Sequence, residues 1–521
     1  WCDEAIYDAK QDFIEAYGKV KIKQGDTINM VSKYVEYSGK TKLAFASGDV
    51  ILKDPSSTIT TDTLFFDRTK QEAFFENNGK VDRDTSGTIT SVIGRYFMKT
   101  KKYQFVKNVK LVNPKYIIES NQLDFYSVSG YAFLYGPTTI TSKTSVIYCE
   151  RGFYNTSEDT GYFVKKSKIN YNERIVEGDS IYFDRNKSYA SATNNITITD
   201  TLNNTIVKGH YGEVFRDKDS LYITQRALAI TLQENDSIFI HSDTLMVTGK
   251  PKKRIIRAYY NAKVYKSDLS GLADSIHINQ NIGLTQLINI DKSKNKDVFL
   301  KKKKPVLWNI QNQITGDSIH LISNVHTENL DSLKVFNNAF VINKDSLGDG
   351  YNQISGKKLF GLFKENSLST IDIIKNAETL YYLRNEFNEL VGIDKSKSGA
   401  IKIWLTNNAI DEMKKSNQIG GKTYPELEFP ENEKIIRGFN WRESERPKNK
   451  LDLFKDDPPL VLKVIKGLDA YVPPVEFFDS NLLDRIEKSE PKSSIKKSKK
   501  FRKNSNKSAR KIPKSLLKNN K

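Results

Sequence analysis

The chain has 521 residues, 38% hydrophobic and 11% aromatic, with 82 Lys+Arg against 63 Asp+Glu and a formal net charge of +19. That length exceeds what one ordinary core fills, so several domains or an extended repeat are expected, and the abundance of Thr, Ile, Val and Tyr excludes general disorder. The charge is concentrated: residues 488–521 hold 14 Lys/Arg and one acid, Glu490, so 13 of the 19 net charges sit there and the rest of the chain carries +6.

The first pattern in chain order is Gly-x-Val, at Gly18-Lys19-Val20, Gly48-Asp49-Val50 and Gly79-Lys80-Val81, with spacings of 30 and 31 residues. A period of that size calls for a repeat architecture. A second pattern, Asp-Ser/Thr-Ile/Leu, lies between the copies and recurs downstream: Asp62-Thr63-Leu64, Asp179-Ser180-Ile181, Asp236-Ser237-Ile238, Asp243-Thr244-Leu245, Asp274-Ser275-Ile276 and Asp317-Ser318-Ile319. Each unit therefore reads as two strands, with turn chemistry at Asp67-Arg68 and Asn77-Asn78. Alternation through Ala44, Ala46, Gly48, Val50 and Leu52 puts small and apolar groups on one face, which lets another body lie close to the sheet. A bulge near Pro55 would invert the facing of Leu64 and Phe66. One such hairpin is not stable alone, so units must stack.

These patterns divide the chain into a repeat region at 1–290, a Lys-rich linker or loop at 291–304, and a degenerate β-repeat region with short helices at 305–410. An irregular Pro-containing region at 411–487 and a basic tail at 488–521 follow. Short helices are expected at Asp372–Leu383, Asn408–Lys415 and Leu482–Ile486. The tail reads as a disordered arm, either merely solubilising or attracted to anionic lipid headgroups or nucleic acid. The chain opens Trp1-Cys2-Asp3 without Met, so part of the natural N-terminus, with any signal peptide, is expected to be missing. No apolar run approaches the ~18–20 residues of a membrane span.

Chemical signatures are weak. Cys2 and Cys149 fall outside any metal or disulfide spacing, and whether they pair is left open. His277 and His320 both follow Asp-Ser-Ile and read as strand decoration rather than ligands; His210, His241 and His326 form no metal pattern. Gly420-Gly421-Lys422-Thr423 has Ser416 where a phosphate loop needs Gly, and reads as a turn. Asp345-Ser346-Leu347-Gly348-Asp349-Gly350 has too few spaced oxygens for a calcium loop and reads as a hairpin loop. No nucleophile or nucleotide signature stands out, so neither an enzyme nor a cofactor is expected.

The run Ala-x-Ala-x-Gly-Asp-Val, the Thr-rich strand after it, and Asp62-Thr63-Leu64-Phe65-Phe66-Asp67 resemble the OstA-like family of lipopolysaccharide transport proteins. The resemblance is clearest over residues 13–85, and the wording of the repeats is similar to that of the longer members found in the Bacteroidetes. It implies a mostly β fold, an open β-jellyroll of stacked antiparallel strand repeats, located in the periplasm or at the outer membrane. It further implies an apolar groove for lipid A acyl chains and edge-strand pairing with other jellyroll components. Carried onto this chain, the groove-facing positions are Val20, Ile22, Val50, Leu52, Leu64, Phe66, Val81, Ile181 and Phe183. Two rivals remain: a structural or adhesive β-solenoid with a filled core, and a protein binding nucleic acid or an anionic surface through its tail.

Overall fold

The computed structural model describes residues 1–465 other than 26–27, 56, 84–86, 233–235, 251–252, 291–303, 310, 328, 366 and 407–408. The basic tail, most of the Lys-rich segment and the helix expected at Leu482–Ile486 lie outside the described residues. Among those described, 31 strands form one antiparallel sheet, and the only helical pieces are 3-10 turns. The architecture is a mostly β, stacked jellyroll with a less regular C-terminal part.

The repeat has a structural cause that lies in the middle of the strands. Left-handed backbone pairs occur at Gly18-Lys19, Gly48-Asp49, Lys107-Asn108, Lys165-Lys166, Asn194-Asn195, Gln225-Arg226, Tyr260-Asn261, Asn337-Asn338 and Lys375-Asn376. Each coincides with a register shift in the ladder. Such a bulge bends its strand, so the limbs before and after it belong to two different walls that meet at a crease. A buried residue follows every pair, as with Val20, Val50, Val109, Ile196 and Ala262.

Alternate strands cross the crease on small residues whose hydroxyls donate to the carbonyl two positions on: Thr61 to Thr63 at 3.2 Å, Ser120 to Gln122 at 2.9 Å, Ser242 to Thr244 at 2.8 Å. Outside the crease, the motif aspartate accepts from the bulge asparagine. Asn195 donates to Asp179 at 2.7 Å, Asn261 to Asp243 at 3.0 Å and Asn338 to Asp317 at 3.0 Å. Apart from Asp236-Ser237-Ile238, which stands at a hairpin end where Asp236 accepts from Ser267, the two sequence patterns are thus two halves of one corner, in which Asn or Gly tolerates the left-handed backbone and Asp holds it.

Several expectations are corrected by this register. Gly79-Lys80-Val81 is not the third copy of the corner: Asn78 carries the positive φ, Gly79 stands opposite Thr61 where Val50 stands on the other side, and Val81 stands level with Leu52 opposite Ile59. Asn77-Asn78 is therefore a crease and not a hairpin turn. Pro55 lies in a hairpin turn, and Leu64 and Phe66 pair with Ala46 and Ala44 in regular order, so no inversion occurs. The helices expected at Asp372–Leu383 and Asn408–Lys415 are replaced by strands Ser367–Arg384 and Ala409–Ser416. In the first, the bulge at Lys375-Asn376 separates the inward residues Ile373 and Ala377 by four positions, which imitates a helical period. In the second, a register shift at Trp404/Leu405 leaves Ile410 and Met413 three apart on one face. Gly420–Tyr424 is a strand paired with Leu390–Thr406 rather than a turn. The segment Asp345 to Gly350 does close a hairpin, with Asp345 accepting from Arg384 at 2.5 Å.

The Lys-rich insertion enters at a crease: the flanking strands Leu284–Ile288 and Val306–Asn309 both pair with Leu269–Asn279, one on each wall. Residues 425–465 then run back along the outer face of one wall. Phe429 and Ile436 pack on outward-facing Phe340 and Ile342, and Leu453 on Ile206, Leu228 and Ile230. Gln313 and Gln353 donate to the carbonyls of Asn440 and Lys434, and Lys263 meets Asp456 at 3.0 Å.

Candidate functional site: an apolar cavity between the walls

Between the two walls, at the N-terminal end, lies a cavity of about 380 Å³. Its position follows from one row of inward side chains on the first wall, paired strand by strand: Ile14, Tyr37, Ala44, Phe66, Ala73, Tyr96, Tyr103, Phe125, Ala132, Tyr154. Where the row and its neighbour read Ala44 and Ala46, the walls stay apart. From Tyr96 onward the row is mostly aromatic and the space is filled. Tyr103, Phe105, Phe125, Tyr154 and Phe163 are fully buried. Glycines face them: an added Cβ at Gly152 or Gly161 would stand 2.9 or 2.5 Å from the Phe163 ring. The void between the walls beside Arg174, Asp200 and Arg254 is only about 20 Å³.

Past the cavity the mouth of the V is zipped by contacts from wall to wall. Tyr103 and Ser57 share a hydrogen bond of 2.5 Å, and Tyr96 donates to Asp54 at 3.0 Å. Arg83 donates to the Ser127 carbonyl at 2.9 Å, Lys115 meets Asp159 at 2.8 Å, and Arg254 meets Asp200 at 2.5 Å. Burial pushes the Tyr103 phenol up to about 12, so its hydroxyl stays neutral among these charged contacts.

The cavity is apolar with a basic rim. Among its described lining residues the charged groups are Lys21 and Arg68, without a carboxylate. Lys21 alternates with inward Val20 and Ile22, so its side chain stands on the outer face, and the lining is suited to hydrocarbon. Of the positions expected from sequence, Val20, Ile22, Leu52, Leu64 and Phe66 line this cavity. Val50 and Val81 lie in the packed core near the crease, with exposures of 0% and 1%. Ile181 and Phe183 sit in the filled body, away from the cavity. Sequence reasoning missed Ala16, Met30, Val35, Tyr37, Ala44, Ala46 and Met98 as lining residues. The two-residue alternation carried Ala44 and Ala46, but not which stretch of the row stays unfilled.

Both cysteines are free; Cys2 is exposed, and burial pushes the Cys149 thiol up to about 12. His277 stacks edge-on against Tyr259, and His320 against Phe336. His241 bridges the Ala227 carbonyl and Asp457, both at 2.9 Å. Among the described residues, no group of three or more His, Cys, Asp or Glu is placed to hold a metal, and no helix is long and apolar enough to cross a membrane.

Residues 1–121 match the family described as OstA-like protein, a segment that contains the whole cavity. A solved structure that it is similar to is LptH, the LptA-homologous periplasmic component of the lipopolysaccharide transport device of Pseudomonas aeruginosa, at 14% identity, covering 26% of this chain and 94% of that one with a TM-score of 0.22. No curated protein matches.

Proposed function

We propose that this chain is a non-catalytic lipid carrier of the periplasm that shields the acyl chains of lipopolysaccharide on their way to the outer membrane. The observation that carries the reading is the apolar cavity of about 380 Å³ lying wholly within the segment that matches the OstA-like family. Withdrawing a hydrocarbon chain from water into it recovers about 25 cal/mol per Å², and Arg68 at its lining favours an acidic headgroup. Among the described residues the edge strand Glu4–Asp8 pairs with Phe13–Gln24 alone, and strand addition there by another jellyroll component would extend the sheet. The length of chain beyond the matched segment agrees with the long, Bacteroidetes-type members of the family.

The test is site-specific photocrosslinking in cells from Ala46 and Leu52, which line the cavity, with outward-facing Lys53 as control and the adducts identified by mass spectrometry. Lipopolysaccharide adducts at 46 and 52 and not at 53 are expected. Absence of any lipid at both inward sites leaves a structural solenoid as the better reading. The filled core of residues 103–285 favours that second reading for the body of the chain, as a rigid scaffold behind the groove.

A further inference from the structure

The groove has a built end. A second space of about 210 Å³ shares Ile28, Leu52 and Met98 with the main cavity, and beyond them is bounded by Ile59 and Pro55 and by the polar groups of Asp54, Ser57, Tyr96 and Lys101. There the Tyr96 and Tyr103 rings stack with centroids 4.2 Å apart and planes at 12°. Their hydroxyls are taken by the opposite wall, Tyr103 with Ser57 at 2.5 Å and Tyr96 with Asp54 at 3.0 Å, while Ser57 also donates to Asp54 at 3.1 Å. Nearer the crease Phe75 closes the same level. Its ring lies where a Cβ on Gly79 or Gly94 would come within 2.5 or 2.2 Å.

We infer that the Asp54, Ser57, Tyr96 and Tyr103 cluster is a stop that sets how long a straight hydrocarbon chain the groove accepts. The inference rests on the lipid-carrier reading and deepens it. A methylene chain advancing past Leu52 meets paired hydroxyls and a carboxylate rather than apolar surface. Further advance strips these groups of their partners, which opposes burial of additional methylenes. Up to that point each methylene added to the chain gains contact with apolar side chains.

The experiment uses the full chain and a fluorescent fatty acid displaced by a homologous series of straight-chain fatty acids, each below its critical micelle concentration. Affinity is expected to rise about fourfold per added methylene and then level off at one length. Y103A should move the break to longer chains. Met30→Trp, at a partly exposed lining position, should move it to shorter ones and carries the test if Y103A does not fold. Affinity that climbs without a break, or a break that neither variant moves, overturns the stop while leaving the lipid groove intact. Failure of every chain length to bind removes the lipid reading and the stop with it.

Discussion

The first hundred residues and the body behind them are built on the same corner, yet one encloses a cavity and the other does not. In both, a left-handed pair bends the strand and two walls face each other across inward rows in unbroken register. The difference lies in which side chains fill equivalent positions. Ala44 and Ala46 leave about 380 Å³ between the walls, whereas Tyr103, Phe125 and Tyr154 in the same row, with Phe105 and Phe163 beside them, are fully buried against the opposite wall. A repeat sets backbone spacing, and side-chain volume then decides whether the interior is a groove or a core.

Four measurements break or sharpen that contrast. The largest effect is expected from F163A in the body, where a fully buried ring seated against Gly152 and Gly161 is removed. It should lose about 3–5 kcal/mol of stability in denaturant unfolding; a loss below about 1 kcal/mol would show the body to be loosely packed.

Acid comes next. Burial, and secondarily the charge of Arg226, lowers the His210 pKa to about 4, and its Nδ1 accepts from the Asn195 backbone N–H at 3.2 Å in a crease of the body. A folded pKa below the unfolded value means that the unfolded chain binds the extra proton. The stabilisation is therefore complete above about pH 6.5 and is lost as pH falls towards about 4, amounting to roughly 2–3 kcal/mol. Thermal unfolding across that range should show the loss, and replacing His210 with Gln should flatten it.

A smaller effect is expected at the groove. Ala46→Phe adds volume where the cavity is open, so it should weaken lipid binding at least tenfold, about 1.4 kcal/mol, with an unfolding midpoint close to that of the parent. A large fall in stability instead would mean that the space is already needed for packing. The smallest is Asn261→Ala at an exposed crease, which forfeits the hydrogen bonds to Asp243 and a residue tolerant of left-handed backbone. About 1 kcal/mol or less is expected in unfolding experiments, without change in lipid binding.

Much of the fold was legible from residues. Asn and Gly at the bulge, Asp in the facing strand, and a buried, mostly apolar residue just after the pair are local features of one bent strand crossing, and local features leave a periodic trace. The trace fades where Lys, Gln, Arg or Tyr takes the left-handed position, as at Lys165-Lys166, Gln225-Arg226 and Tyr260-Asn261, and where the bulge makes a strand imitate a helix, as around Lys375-Asn376. The candidate site was legible only in part. Val20, Ile22, Leu52, Leu64 and Phe66 face the cavity as the alternation implies, but Ile181 and Phe183 obey the same alternation and are enclosed in packed core.

The sequence by itself determined the repeat, the β character and the inward faces, because those depend on neighbours within a strand or one strand away. Only the tertiary structure decided that the third Gly-x-Val lies one rung out of phase and that residues 425–465 cover the outer face of a wall. It alone placed the end of the apolar space at Tyr96 and Tyr103. Each depends on contacts between residues distant in the chain, as Ser57 with Tyr103 across the gap between walls and Gln353 with Lys434 on the outer face, which no local pattern encodes.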